Sequence, residues 1–188
     1  MDRFAVFCFC AGSMFASVPA AAATLTVGSA TIQRALVEGV FTQNGRWYLQ
    51  DGVCYVYLDS PRTWLADGRV HIEAQLSSQL GVEMSGSCVG TAFASKVVMS
   101  GRLVGAGTTL SLAEVRIDRI ENDASGGAVD LLQSLALSLP PVDVLKEARE
   151  RLADQGDVPI SVDSLQIDSV TTSDAAVTVR FDVGLRAP

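Results

Sequence analysis

Alternation is the strongest signal along the chain. Between Arg69 and Leu76, the residues Val70, Ile72, Ala74 and Leu76 fall on one side, with Arg69, His71, Glu73 and Gln75 on the other. A period of two marks a strand with one buried face. Val177, Val179, Phe181, Val183 and Leu185 repeat that spacing without a break, while Ile160, Val162, Leu165 and Ile167 carry an irregularity at Asp163-Ser164. Arg46 to Gln50 sets Trp47 and Leu49 against Tyr48. Val53 to Leu58 is apolar on both sides, with Cys54, Val56 and Leu58 opposite Val53, Tyr55 and Tyr57. Such a strand is covered twice, or turns one face toward something apolar. Residues 95–104 and 108–120 read as a hairpin across Gly105-Ala106-Gly107. Leu110 and Leu112 have one parity and Val115 and Ile117 the other, which predicts a β-bulge near Ala113-Glu114. Asn44-Gly45, Ser60-Pro61 and Asp67-Gly68 punctuate the connections.

Three segments have helical spacing. Ser29 to Phe41 places Ile32, Ala35, Leu36 and Val40 on one face, with Ser29 as the expected N-cap. Ala128 to Leu139 is apolar nearly all round, as a buried helix is, and Pro140-Pro141 stops it. Pro141 to Asp154 is amphipathic, and its opening Pro and Asp143 suit a helix start. The expected fold is one α+β domain, a curved antiparallel sheet packed around or against helices.

The first residues are set apart from this domain. Met1-Asp2-Arg3 precedes an apolar run from Phe4 to Val18, then Pro19 and the alanines 20–23. Basic start, apolar centre and small residues in an A-x-A pattern make a secretory signal peptide, cut after Ala23. The run is broken by Gly12, Ser13 and Ser17 and is shorter than the ~20 residues a spanning helix needs. The expected organisation is a signal peptide over 1–23 and a single domain over 24–188, periplasmic or secreted, with no transmembrane segment.

Export changes the cysteine arithmetic. Cys8 and Cys10 leave with the signal, and Cys54 and Cys88 remain. In an oxidising compartment that pair reads as a disulfide, worth about 4 kcal/mol in the chain-entropy picture. Gly86-Ser87-Cys88-Val89-Gly90 also has the outline of a nucleophile elbow. That motif needs a strand–turn–helix and a later histidine, and the single histidine, His71, comes earlier.

Charge narrows the partners. Of 188 residues 48% are hydrophobic and 19% charged, so this is not a disordered chain. Net charge -7 argues against nucleic acid, which calls for a basic surface. No cofactor or metal site is expected: one histidine cannot make a multi-histidine centre, and Asp118, Glu121, Asn122 and Asp123 lack a calcium-loop pattern. No serine sits in G-x-S-x-G, which leaves His71 as the obvious general base for a hydrolase.

What stands out is apolar and aromatic. The expected lining of an apolar site comprises Leu36, Val40, Trp47, Tyr55, Tyr57, Leu132, Leu135 and Phe181. The order of elements adds to this. An opening helix with Ala35, Leu36 and Phe41, a run of strands, a helix ending at Leu139-Pro140, and a closing pair from Ile160-Ser161-Val162 to Val179-Arg180-Phe181 resemble the YceB-like periplasmic proteins. Those are placed near the tubular lipid-binding superfamily, in which a curved antiparallel sheet wraps a long helix. The resemblance implies an apolar groove, lipid binding and no catalytic residues. This chain departs from that family in having no lipobox and in its cysteine pair. The expectation is a non-enzymatic envelope protein holding a lipid or other apolar small molecule between helix and sheet. The alternative is a structural or adaptor protein that binds another envelope protein.

Overall fold

Arg69 to Leu76 folds as its alternation dictates. In the computed structural model, which describes residues 21–121, 132, 141–143 and 161–186, Val70, Ile72, Ala74 and Leu76 are all buried. They belong to β4 (Arg69–Met84), the centre of a curled antiparallel sheet. Its strands, in spatial order, are β2 (Arg46–Gln50), β3 (Val56–Ala66), β4, β5 (Ser87–Ala106), β6 (Thr109–Ile120) and β7 (Val142–Asp143). A second sheet places β9 (Ala176–Arg186) between β1 (Ala21–Gly28) and β8 (Ser161–Thr172). The helix α1 (Ser29–Gly39) follows β1. A single core joins the sheets: Val56, Leu58, Leu76, Val97 and Met99 from one meet Leu165, Val177, Val179 and Phe181 from the other.

The protein is therefore mostly β, and the expected α+β balance is wrong. The error lies in strand length. Ser60-Pro61, expected to break the chain, lies inside β3 as a bulge, where the register slips between Asp59 and Arg62 and Ser60 takes φ 51°. Proline is tolerated there because a bulge asks for no ladder N–H. The strand begins at Val56, not Val53, because residues 51–55 form an irregular bend. Asp67 and Gly68 do make a turn, with φ of 53° and 68°, the double positive φ of a tight hairpin. Beyond Leu76, β4 and β5 continue to pair as far as Met84 with Ser87, through a stretch in which Leu80, Val82 and Met84 keep the alternation but little is buried.

Of the three expected helices, α1 is present. Its N-cap is Gly28, not Ser29, and no side chain caps it. The helix from Ala128 to Leu139 lies outside the described residues, apart from Leu132, which is helical and fully buried. The segment from Pro141 to Asp154 lies outside them too, except at its start, where Val142 and Asp143 pair with Leu110 and Thr109 as a strand rather than opening a helix.

Two bulges shape β6. Glu114 and Val115 together oppose Gly101, between the pairs Ser100–Arg116 and Arg102–Ala113, and Glu114 has φ 49°. Asp118 is the extra residue between Met99–Ile117 and Val98–Arg119. Each bulge reverses the facing of the residues after it. Leu110, Leu112, Ile117 and Ile120 consequently all reach the core despite their mixed parity. The irregularity expected at Asp163-Ser164 is present as a register shift between Val162 and Ser164.

Residues 21–23, assigned to the signal peptide, lie on β1 opposite Val183, Asp182 and Phe181. The pairs from Thr24–Arg180 to Gly28–Ala176 lie on the domain side of the expected cut.

Candidate functional site

The two sheets do not close on each other everywhere. Between them, beneath α1, lies a cavity of about 560 Å³. Helix spacing explains its roof: Thr31, Ile32, Ala35, Leu36, Gly39 and Val40 recur along one face of α1, and all six line it. Strand spacing explains the walls. Leu25 and Val27 of β1 project inward beside their cross-strand partners Val179 and Val177. Val70 and Ile72 of β4 and Leu103 of β5 form the opposite wall, with Leu110 and Leu112 of β6. Gly101 makes room for Leu112, since a Cβ there would sit 2.5 Å from the Leu112 Cγ. Pro141, Val142 and Asp143 also line it. Polar lining is sparse: Thr31, Thr63, Ser111 and Asp143. Thr63 is occupied in part, because its hydroxyl donates to the Ser29 carbonyl at 3.2 Å. That bond and one from the Gln33 side-chain amide to the Pro61 carbonyl, 2.5 Å, moor α1 to the bulged strand β3.

The residues expected to line an apolar site divide into groups. Leu36 and Val40 line the cavity. Leu132 and Phe181 are buried in the shared core. Trp47 packs against the core's edge, its ring 6.1 Å from that of Phe41. Leu135 lies outside the described residues. Tyr55 and Tyr57 need correction: they face away from the cavity. Val56 and Leu58 take the core side of β3, so its pleat turns Tyr57 outward, and Tyr55, in the bend before the strand, stacks on it. There Tyr57 lies 5.4 Å from Tyr55 and 5.3 Å from Tyr48, and the Arg46 guanidinium sits 4.4 Å above the Tyr57 ring. The doubly apolar strand is covered on one face by the core and on the other by its own aromatic cluster. Period-two reasoning does place Val70, Ile72, Val177 and Val179 on the inward face, but not that a space lies there.

The outer face of the sheet carries the polar groups. His71 is nearly buried: Nδ1 lies 3.4 Å from Asp118, Nε2 lies 3.3 Å from the Ala66 carbonyl, and the ring stacks on Trp64. Both ring nitrogens are engaged, and the bulge at Asp118 aims that carboxylate at the ring. Arg69, expected to face solvent, is buried. Its Nε donates to the Ser100 hydroxyl at 3.0 Å, and Nη2 donates to the Glu114 carbonyl at 2.5 Å. Arg116 also donates to Ser100, at 3.3 Å. Two guanidinium groups around a fully buried serine pin the β6 bulge. They supply no base for a nucleophile.

Cys54 and Cys88 form a disulfide with Cα atoms 5.1 Å apart. Cys54 precedes β3 and Cys88 lies on β5, with β4 between. Two strand spacings in a flat sheet come to about 9.6 Å, so the end of the β4–β5 hairpin leans back toward the bend at 51–55. Gly81 and Gly90 face each other at this place, and a Cβ on either would collide with backbone of the other strand. No helix follows Cys88, which excludes the nucleophile-elbow geometry. Among the described residues no helix is long and apolar enough to cross a membrane, and no cluster of three or more acidic, histidine or cysteine side chains offers a metal site. Comparison of the chain with protein-family models, curated proteins and solved structures finds no match.

Proposed function

We propose that this protein is a non-catalytic binder of a lipid or other apolar molecule, held between α1 and the two sheets, and that it works outside the cytoplasm. The observation that carries the reading is the cavity of about 560 Å³ with an apolar wall and four polar side chains. That volume lies within the range of roughly 300–1,000 Å³ that small-molecule sites occupy. Burying a methylene gains about 0.8 kcal/mol, so ten of them supply about 8 kcal/mol against the cost of association. The disulfide and the signal-like N-terminus support export, and the resemblance to YceB-like proteins points to the same class of ligand. The outer-face histidine is held on both nitrogens, which favours a structural role over acid–base work.

Native mass spectrometry of the gently purified protein tests this. Co-purified apolar mass is expected, and it disappears in Ala35→Trp, which fills the cavity from an exposed helix position. A bare mass, with no uptake of added lipid, contradicts the reading.

One observation favours a second reading, an adaptor that binds an envelope protein. Val82, Met84 and Val89, at the hairpin end, are 68%, 59% and 58% exposed. Val82 and Val89 are cross-strand partners, so these side chains share a face. On that reading a stoichiometric partner crosslinks at Met84 and is lost in the double variant Val82→Ser, Val89→Ser.

A further inference from the structure

The end of the β4–β5 hairpin outruns its neighbours. β3 stops pairing with β4 at Val56–Ser78, apart from a backbone exchange between Tyr55 and Gln79, and β6 stops pairing with β5 at Ile120–Val97. Beyond those points, among the described residues, 80–84 and 87–91 pair only with each other. Side chains on this arm divide by parity. Val82 and Met84 follow Leu76 and Leu80 on the core side, and Val89 joins them as the cross-strand partner of Val82. They are the three most exposed large apolar side chains among the described residues. Gly81 with Gly90 and Glu83 with Cys88 take the other side. The disulfide from Cys88 to Cys54 ties that side to the bend before β3, so the arm is braced while its apolar side stays open.

Size, composition and charge decide what fits there. A stable protein interface covers about 800 Å² on each partner and is anchored by tryptophan, tyrosine or arginine. The arm offers three apolar side chains, and residues 80–91 contain none of those anchors. The nearest tyrosines, Tyr55 and Tyr57, lie on the opposite side of the sheet. A lipid surface asks for less: a few apolar side chains sunk to headgroup level, with binding that grows with the apolar area buried. Glu83 is the one charged residue between Ala74 and Ser95, and the chain carries net charge -7. An anionic surface therefore repels the protein, and a zwitterionic one does not. The open edge of the arm sets its depth, because backbone groups without partners are not carried into hydrocarbon.

We propose that the arm docks on a zwitterionic lipid surface, with Val82, Met84 and Val89 entering the headgroup boundary. The site is separate from the cavity, so either reading can fail alone.

Flotation of the full exported chain with phosphatidylcholine vesicles tests it. The protein floats with the vesicles, and the double variant Val82→Ser, Val89→Ser binds about tenfold more weakly while unfolding at the parent's temperature. Added phosphatidylglycerol weakens binding at low salt. In Met84→Trp, phosphatidylcholine brominated on its acyl chains quenches emission beyond the baseline set by Trp47 and Trp64. A parent that does not float, or a double variant that floats equally well, overturns the docking site whether or not the cavity holds a ligand. Tighter binding to phosphatidylglycerol overturns the zwitterionic surface. A stoichiometric protein crosslinked at Met84, in a chain that ignores vesicles, overturns the proposal in favour of the adaptor. A dissolved single-chain lipid forms no surface and leaves the three side chains unmoved, which separates this site from the cavity.

Discussion

The two ends of the β4–β5 hairpin are built from the same pair of strands and held by different physics. At one end, Val70 to Leu76 lies against Ser95 to Gly101, and its inward side chains are within a few per cent of complete burial. At the other, Gly81 to Met84 lies against Ser87 to Gly90, with Val82, Met84 and Val89 exposed and a disulfide binding the end to residue 54. Burial holds the first end, and a covalent bond with a pair of facing glycines shapes the second. Pairing alone does not distinguish them, since the ladder is continuous. The contrast shows where each end is vulnerable, and why a cavity can persist near the first without weakening the second.

Breaking each end should give effects of descending size. Leu76→Ala removes a fully buried side chain at the packed end and should cost about 2–5 kcal/mol, read as a lower midpoint in urea unfolding; a loss under 1 kcal/mol would contradict the packing described. Replacing both Cys54 and Cys88 by serine opens a loop of sequence separation 34 and should cost about 2–4 kcal/mol, with amide exchange rising first over 81–90. Equal acceleration across the whole sheet would show that the bond is not local in its effect. Arg69→Met keeps the bulk and removes the donors to Ser100 and Glu114. A loss of about 1–3 kcal/mol is expected, together with shifted amide resonances at the β6 bulge. Unmoved resonances there would deny the pinning role. The smallest effect belongs to Val82→Ser, whose side chain is exposed: within about 0.5 kcal/mol of the parent by thermal unfolding.

The same division decides how much could be read from sequence. Val70 to Leu76 and Val177 to Phe181 are legible because a buried face forces alternation, and a two-residue period has one structural meaning. The β6 bulge is legible for the related reason that a parity switch between Leu112 and Val115 needs an extra residue. The strand beyond Leu76 is missed although Leu80, Val82 and Met84 keep the period of two, because Ser78 and the glycines at 81, 86 and 90 interrupt the apolar run. Ser60-Pro61 misleads, since a proline that ends a strand and a proline that bulges one look alike in sequence. Leu36 and Val40 are identifiable as cavity residues from the helix face they share. Tyr55 and Tyr57 are not placed correctly, because an apolar strand face can meet either a cavity or its own aromatic neighbours, and composition does not separate them. Arg69 is missed altogether, because burial of an arginine depends on Ser100 and Glu114, which lie far from it in sequence.

The central claim, that an apolar molecule occupies the space between α1 and the sheets, is tested most directly by methyl-labelled NMR. The protein, labelled at isoleucine, leucine, valine and methionine methyls, is titrated with 1-monomyristin. Saturating shifts are expected at Leu25, Ile32, Leu36, Val177 and Val179, with Val82, Met84 and Val89 unmoved. Shifts confined to Val82, Met84 and Val89, with the lining methyls unchanged, would contradict it.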